Sequence, residues 1–243
     1  MESNKFMKTI PLDDSVNSSN NVLNLANLVA KLHHDAIGTS SDILDVIVGV
    51  VGFRDMGSGE HMKRTRTLTE ILILAMLKNP IFAKEFEEID YKTIIQASPL
   101  HDIGKVGIVD DILLKEERLT DEERKIINKH TLIGCQIVDT MHRILEPKYL
   151  KCCRDICLYH HEWFDGTGYP CGLKGYDIPF SARILAIVDV YDALTSARPY
   201  KKAMSHDNAM VIITDGMGTQ FDPNITKVFL ELNNLSSIDE NAG

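Results

Sequence analysis

The 243-residue chain is predicted to be all-α. Three observations lead there. Apolar residues recur at three- and four-residue spacing along several stretches, helix-start signals precede them, and no useful length alternates apolar with polar residues as a half-buried strand would. Apolar residues make up 44% of the chain, enough for a sizeable core, and charged residues 25%. The expectation is a helical bundle of roughly ten helices, with any site built from side chains converging from several of them.

Residues 1–20 are polar and read as a loose arm. Leu23, Leu25, Leu28, Val29 and Leu32 mark a first helix. Ser41 or Asp42 can cap a second, ILDVIVGVVGFR. A third starts near Ser58 and runs to Lys78, where Asn79-Pro80 stops it. AKEFEEID is a short charged helix. YKTIIQASPLHDIG reads as one apolar helix ending at Gly104, with His101 and Asp102 in its last turn. Thr120 and Glu123 form a capping box that opens a long helix carrying His130 in its middle. Residues 147–161 make a helix ending on a histidine pair, and helices at about 180–196, 206–213 and 223–232 complete the chain.

The net charge of −9 argues against a general nucleic-acid polymer or membrane-surface binder, which needs a broad basic face. No apolar run reaches about 18 residues, so no membrane span is expected. The start of the chain lacks a signal-peptide hydrophobic core. Cys135, Cys152, Cys153, Cys157 and Cys171 are odd in number and contain no C-x-x-C. They read as free thiols in a reducing cytoplasm, and the spacing of Cys152, Cys153 and Cys157 is wrong for zinc.

Chemistry concentrates between Tyr159 and Lys201. His160 and His161 open that stretch, a loop with Gly166, Gly168, Tyr169 and Pro170 follows, and Asp189 stands alone in an apolar helix. Arg198, Lys201 and Lys202 close it. Imidazoles and a carboxylate suit a divalent metal, and the cations suit a phosphate. Upstream, His101 and Asp102 lie beside Gly104 and Lys105, where adjacent side chains can reach one point. His33, His34, His142 and His206 lack such neighbours and read as structural.

HDIGK at 101–105, HTLIG at 130–134, HHEWFDGTGYP at 160–170 and DVYDALTSARPYK at 189–201 together closely resemble the HD-GYP family. These are HD-superfamily phosphodiesterases that hydrolyse the bacterial messenger cyclic di-GMP. The resemblance covers about residues 45–235, including GTQFDP at 218–223. It divides the chain into an N-terminal arm and helix (1–45) suited to dimerisation or to docking on a separate regulator, an HD-GYP catalytic domain (46–235) and a polar tail (236–243).

The resemblance implies an HD-type helical fold and seven metal ligands: His61, His101, Asp102, His130, His160, His161 and Asp189. The residues themselves had singled out five of these; His61 and His130 rest on the resemblance alone. Asp102 would bridge two divalent ions, iron or manganese, and Lys105 would face a phosphate oxygen. Tyr169, Gly168, Arg198 and Lys201 would hold the substrate. Asp192 and Thr195 read as supporting or packing residues. Members with three metals carry a glutamate at the position of Gly57, so two ions are expected here. The implied reaction is metal-dependent opening of cyclic di-GMP to linear pGpG, with GMP slow or absent. The alternatives are another cyclic dinucleotide as substrate, or a non-catalytic module that binds the messenger.

Overall fold

The computed structural model describes residues 58–143, 145–197 and 202–239. The first two sequence-predicted helices, Gly57, Arg198 and Lys201 lie outside the described residues.

The first described helix, α1 (Ser58–Met76), ends two residues before the expected Lys78. Asn79 then caps a 3-10 turn, Pro80–Phe82, by accepting the Ile81 N–H. Helices α2 (Ala83–Glu88) and α3 (Tyr91–Ala97) follow, the second capped by Asp90. The expected helix through Gly104 stops early. Ser98-Pro99 breaks it, because proline offers no N–H to continue the ladder. His101 and Asp102 therefore sit between two 3-10 turns, Ser98–Leu100 and Ile103–Gly107, rather than in a last helical turn.

After α4 (Asp110–Leu113), the Thr120–Glu123 capping box forms as read. Thr120 Oγ1 accepts the Glu123 N–H at 3.2 Å, and Glu123 Oε2 accepts the Thr120 N–H at 2.8 Å. The helix it opens is two helices, α5 (Asp121–Asn128) and α6 (His130–Thr140). His130 is thus the first residue of α6, not a mid-helix residue. Its Nδ1–H and the Thr131 hydroxyl donate to the Ile127 and Asn128 carbonyls, which tightens the chain at the joint. The remaining helices are α7 (Pro147–Tyr159), α8 (Phe180–Thr195), α9 (His206–Asp215) and α10 (Pro223–Asp239). No strand occurs among the described residues; one isolated bridge joins Met217 and Phe221.

Helix α8 is the axis of the bundle. Ser181 to Val188 are buried without interruption, the pattern of a helix covered on every side, and α1, α7, α9 and α10 pack around it. Leu72, Ile73 and Met76 of α1, Ile156 of α7, Ile184 and Leu185 of α8, and Ile225 of α10 form the centre of the core. Each such side chain contributes about 1.5–3 kcal/mol by leaving water. Helix α10 is held down by one buried ion pair. Arg183 Nη1 donates to Asp222 Oδ2 at 2.5 Å, and Asp222 Oδ1 accepts the Asn224 N–H at 2.8 Å at the start of the helix.

Candidate metal centre

The seven predicted ligand residues come together in two groups that share one carboxylate. His61, His101, Asp102 and Asp189 form the first, and Asp102, His130, His160 and His161 the second. Within each group the candidate ligand atoms all lie within 4.8 Å of one another. The sharing is divided by oxygen. Asp102 Oδ2 lies 3.3 Å from His101 Nε2 and 4.0 Å from His61 Nε2, while Oδ1 lies 3.4 Å from His130 Nε2 and 3.9 Å from His160 Nε2. Asp189 Oδ1 completes the first group at 3.5 Å from His101 Nε2 and 3.7 Å from His61 Nε2.

Glycine makes this convergence sterically accessible. A Cβ on Gly104 would stand 1.8 Å from the His130 carbonyl oxygen and 2.4 Å from the Gly134 nitrogen. Backbone therefore lies directly on backbone where HDIGK meets HTLIG, and Asp102 reaches His130 as a result. Helix α7 delivers His160 as its C-terminal cap, and His160 and His161 face the same group at the helix end.

Hydrogen bonds show which face each ring offers. The Nδ1 atoms of His101, His130 and His160 meet the carbonyls of Ser98, Ile127 and Ile156 at 2.9, 2.8 and 2.9 Å. A carbonyl only accepts, so each Nδ1 carries a proton and turns Nε2 to the centre, where it is bare whenever the ring is neutral. Yet His130 Nε2 and His160 Nε2 are 3.4 Å apart, and His61 Nε2 and His101 Nε2 are 3.2 Å apart. Either pair shares a proton or, with both rings neutral, offers two lone pairs to one cation.

The electrostatics favour the neutral ring at three of the histidines. Burial and the neighbouring imidazoles drive His160 well below the ordinary histidine range. Burial likewise brings His161 down to about 4 and lowers His130. Burial opposes charge at His101 also, but Asp102 and Asp189 outweigh it and raise its pKa to about 10. Burial opposes ionisation of Asp102, yet Lys105 and His101 hold it well below the usual carboxylate range. Asp189 is lowered against the same opposition, chiefly by His101. Neutral His130, His160 and His161 beside ionised Asp102 and Asp189 fit divalent metal, an ion would displace the proton that His101 otherwise shares with the two carboxylates, and nitrogen and oxygen donors without thiolate suit iron or manganese.

Lys105 Nζ sits 2.7 Å from Asp102 Oδ2, beside both groups. Tyr169 stacks on His161 with ring centroids 4.9 Å apart. Its loop lies so close to the chain that a Cβ on Gly168 would stand 2.2 Å from the Trp163 nitrogen. Glu60, the acid nearest Gly57 among the described residues, is exposed and paired with Lys63 at 3.1 Å.

Two supporting residues escaped definite assignment from sequence. Buried Glu162 accepts the N–H groups of Cys171 at 2.6 Å and Leu173 at 3.0 Å and so pins the Tyr169 loop. An acid immediately before a glycine-rich run of free N–H groups was the available signal. Asp192, read only as supporting or packing, meets His61 Nδ1 at 2.6 Å. Thr195 donates to the Tyr191 carbonyl within its own helix at 2.8 Å. His142 and His206 stay outside both groups, the latter meeting the Tyr191 hydroxyl at 2.8 Å.

The HD-domain family profile matches residues 57–225. A Vibrio cholerae protein named cyclic di-GMP phosphodiesterase is 40% identical over 196 residues, which is 80% of this chain and 40% of that protein. The 3'3'-cGAMP-specific phosphodiesterase 2 of the same organism is 35% identical over 193 residues, 79% of this chain and 35% of that protein. In three dimensions, an HDG"Y"P protein from Bdellovibrio bacteriovorus aligns with a TM-score of 0.55 at 16% identity, covering 93% of this chain and 75% of that one. The chain belongs to the HD-domain family and to its HD-GYP branch. It spans less than half the length of the curated relatives named here.

Proposed function

We propose that the chain is a metal-dependent phosphodiesterase that opens cyclic di-GMP to linear pGpG. The observation that carries this is the sharing of Asp102 between two histidine-rich groups, one oxygen to each. The names of several relatives point to the same substrate.

His61, His101, Asp189 and Asp102 would hold one ion, and His130, His160, His161 and Asp102 the other. Ions bound there supply Lewis acidity toward a phosphoryl oxygen and lower the pKa of water. Lys105, fixed beside Asp102, offers a positive charge to the phosphate oxygens as negative charge grows on them. Tyr169, stacked on His161, presents its hydroxyl and ring at the same centre, and Gly168 keeps that loop close to the histidine pair. Arg198 and Lys201 would grip the phosphates by charge-assisted hydrogen bonds. Iron or manganese is the proposed metal, with two ions rather than three because Gly57 offers no side-chain carboxylate. GMP is then a slow product.

A second reading has one specific support. The 35%-identical relative is named for 3'3'-cGAMP, and the metal and cation sets engage phosphates that both messengers share. No described helix is long and apolar enough to cross a membrane, and we assign the activity to the cytoplasm, with residues 1–45 dimerising or docking to a regulator. The deciding experiment is metal analysis of anaerobically purified protein with product identification on cyclic di-GMP and 3'3'-cGAMP. Metal-dependent pGpG formation is expected. Preferential turnover of 3'3'-cGAMP shifts the substrate, and turnover of neither overturns the enzyme.

A further inference from the structure

Three imidazoles of the centre are aimed by their own local backbone. His101, His130 and His160 each donate Nδ1–H to a carbonyl three or four residues earlier. His61 is aimed differently. Its Nδ1–H donates to Asp192 Oδ2 at 2.6 Å, across from α1 to α8. Asp192 is itself fixed. The Arg64 fork, one turn beyond His61, donates from Nε to Oδ1 at 2.5 Å and from Nη2 to Oδ2 at 3.1 Å. Ser196 Oγ adds a donor to Oδ1 at 3.2 Å. The Asp192 side chain is only 2% exposed, whereas that of Arg64 is 42% exposed.

We propose that Arg64 and Asp192 form a positioning couple that sets the tautomer and direction of His61 and thereby governs the ion held by the His61 group. This rests on the metal reading above. The carboxylate fixes the proton on Nδ1, turns Nε2 toward His101 and Asp189, and makes the ring a stronger donor. The guanidinium occupies both carboxylate oxygens, which keeps Asp192 from swinging in as a ligand of its own. Without Arg64, Asp192 would be a buried acid free to compete for the ion. Without Asp192, His61 could turn either nitrogen to the centre. In the second group, which meets the first through Asp102, His130 and His160 rest instead on the carbonyls of Ile127 and Ile156. The effect should therefore fall on one ion of the pair. A plain α1–α8 tie would instead lower stability and leave metal affinity alone.

The test is Mn2+ titration of the metal-stripped full chain, with the circular dichroism spectrum and Tm of each stripped variant measured alongside. In Asp192→Ala one Mn2+ should weaken by roughly 10- to 100-fold while the other binds as before. Asp192→Asn keeps an acceptor oxygen but brings an amide N–H toward two donors, so its affinity should fall between wild type and Asp192→Ala. Arg64→Gln, which leaves Asp192 in place, should weaken the same ion less than Asp192→Ala does. A folded Asp192→Ala that binds both ions with wild-type affinity, or weakens both equally, overturns the proposal. Should Asp192→Ala fail to fold, wild-type Mn2+ binding by Arg64→Gln overturns it instead. A wild-type chain that takes up no Mn2+ removes the metal reading itself, and the couple's role with it.

Discussion

At the scale of single residues, Asp102 carries the greatest burden, because each of its oxygens faces a different group of imidazoles. His101→Ala, Asp102→Ala and Asp189→Ala should each lose metal and phosphodiesterase activity together while the helical spectrum survives. Asp102→Ala should cost both ions, and Asp189→Ala mainly the ion of its own group. Metal analysis beside far-UV circular dichroism checks this, and full metal content with normal turnover would refute the assignment. The cysteines give a second expectation. Burial raises Cys152 to about 12 and drives Cys157 well up, so little thiolate is present at neutral pH. Cys171 is exposed. Iodoacetamide at pH 8 should modify Cys171 rapidly in the native chain and the four buried thiols only after denaturation, as peptide mass mapping would read. His101, Asp102, His160 and His161 were legible because each sat beside a second chemically suggestive residue, and Asp189 because it stood alone in an apolar helix. Asp192 was not, since its partner His61 lies 131 positions away and no local pattern reports such a contact.

Among the elements, the HDIGK turn decides whether the centre assembles. Gly104→Ala would drive a methyl group into the His130 carbonyl, whereas a Cβ on Gly107 meets only side-chain atoms of Ile133, the nearest at 2.9 Å. We expect Gly104→Ala to cost about 1–3 kcal/mol or more and to release metal by moving Asp102 off His130. Gly107→Ala, where a flexible side chain can yield, should be milder. Thermal melts and metal content of the two variants compare them directly, and equal behaviour would refute the backbone-contact argument. This element was also where the sequence misled. Helical periodicity ran through Ser98-Pro99, and the break that leaves His101 and Asp102 between 3-10 turns comes from the missing proline N–H. The joint before His130 contains neither glycine nor proline. Its cause is a pair of side chains donating to nearby carbonyls, which composition does not reveal. The Thr120–Glu123 box, in contrast, was readable because all its atoms belong to one turn.

For the molecule as a whole, the all-α bundle follows from periodicity, but its axis does not. That α8 is the buried centre could be guessed from its apolar run; that Arg183 within it ties down α10 could not. Both members of the Arg183–Asp222 pair are buried, and breaking one side leaves the other charge uncompensated at about 3–5 kcal/mol. Asp222→Ala should lower Tm by on the order of 10 °C without changing metal stoichiometry. A Tm loss of under a degree or two would show that the pair is replaceable by water.

The proposed ligands are scattered from His61 to Asp189, on stretches far apart along the chain. An ion gripped by such ligands acts as a rivet through the bundle, since the unfolded chain offers it no comparable seat. Stability then tracks the free metal concentration, rising by RT ln(1 + [metal]/Kd). In a metal-starved cell the protein would be cleared by proteases as it opens, so scarcity would reduce its abundance as well as its turnover. The proposed messenger breakdown would then depend on metal supply twice over.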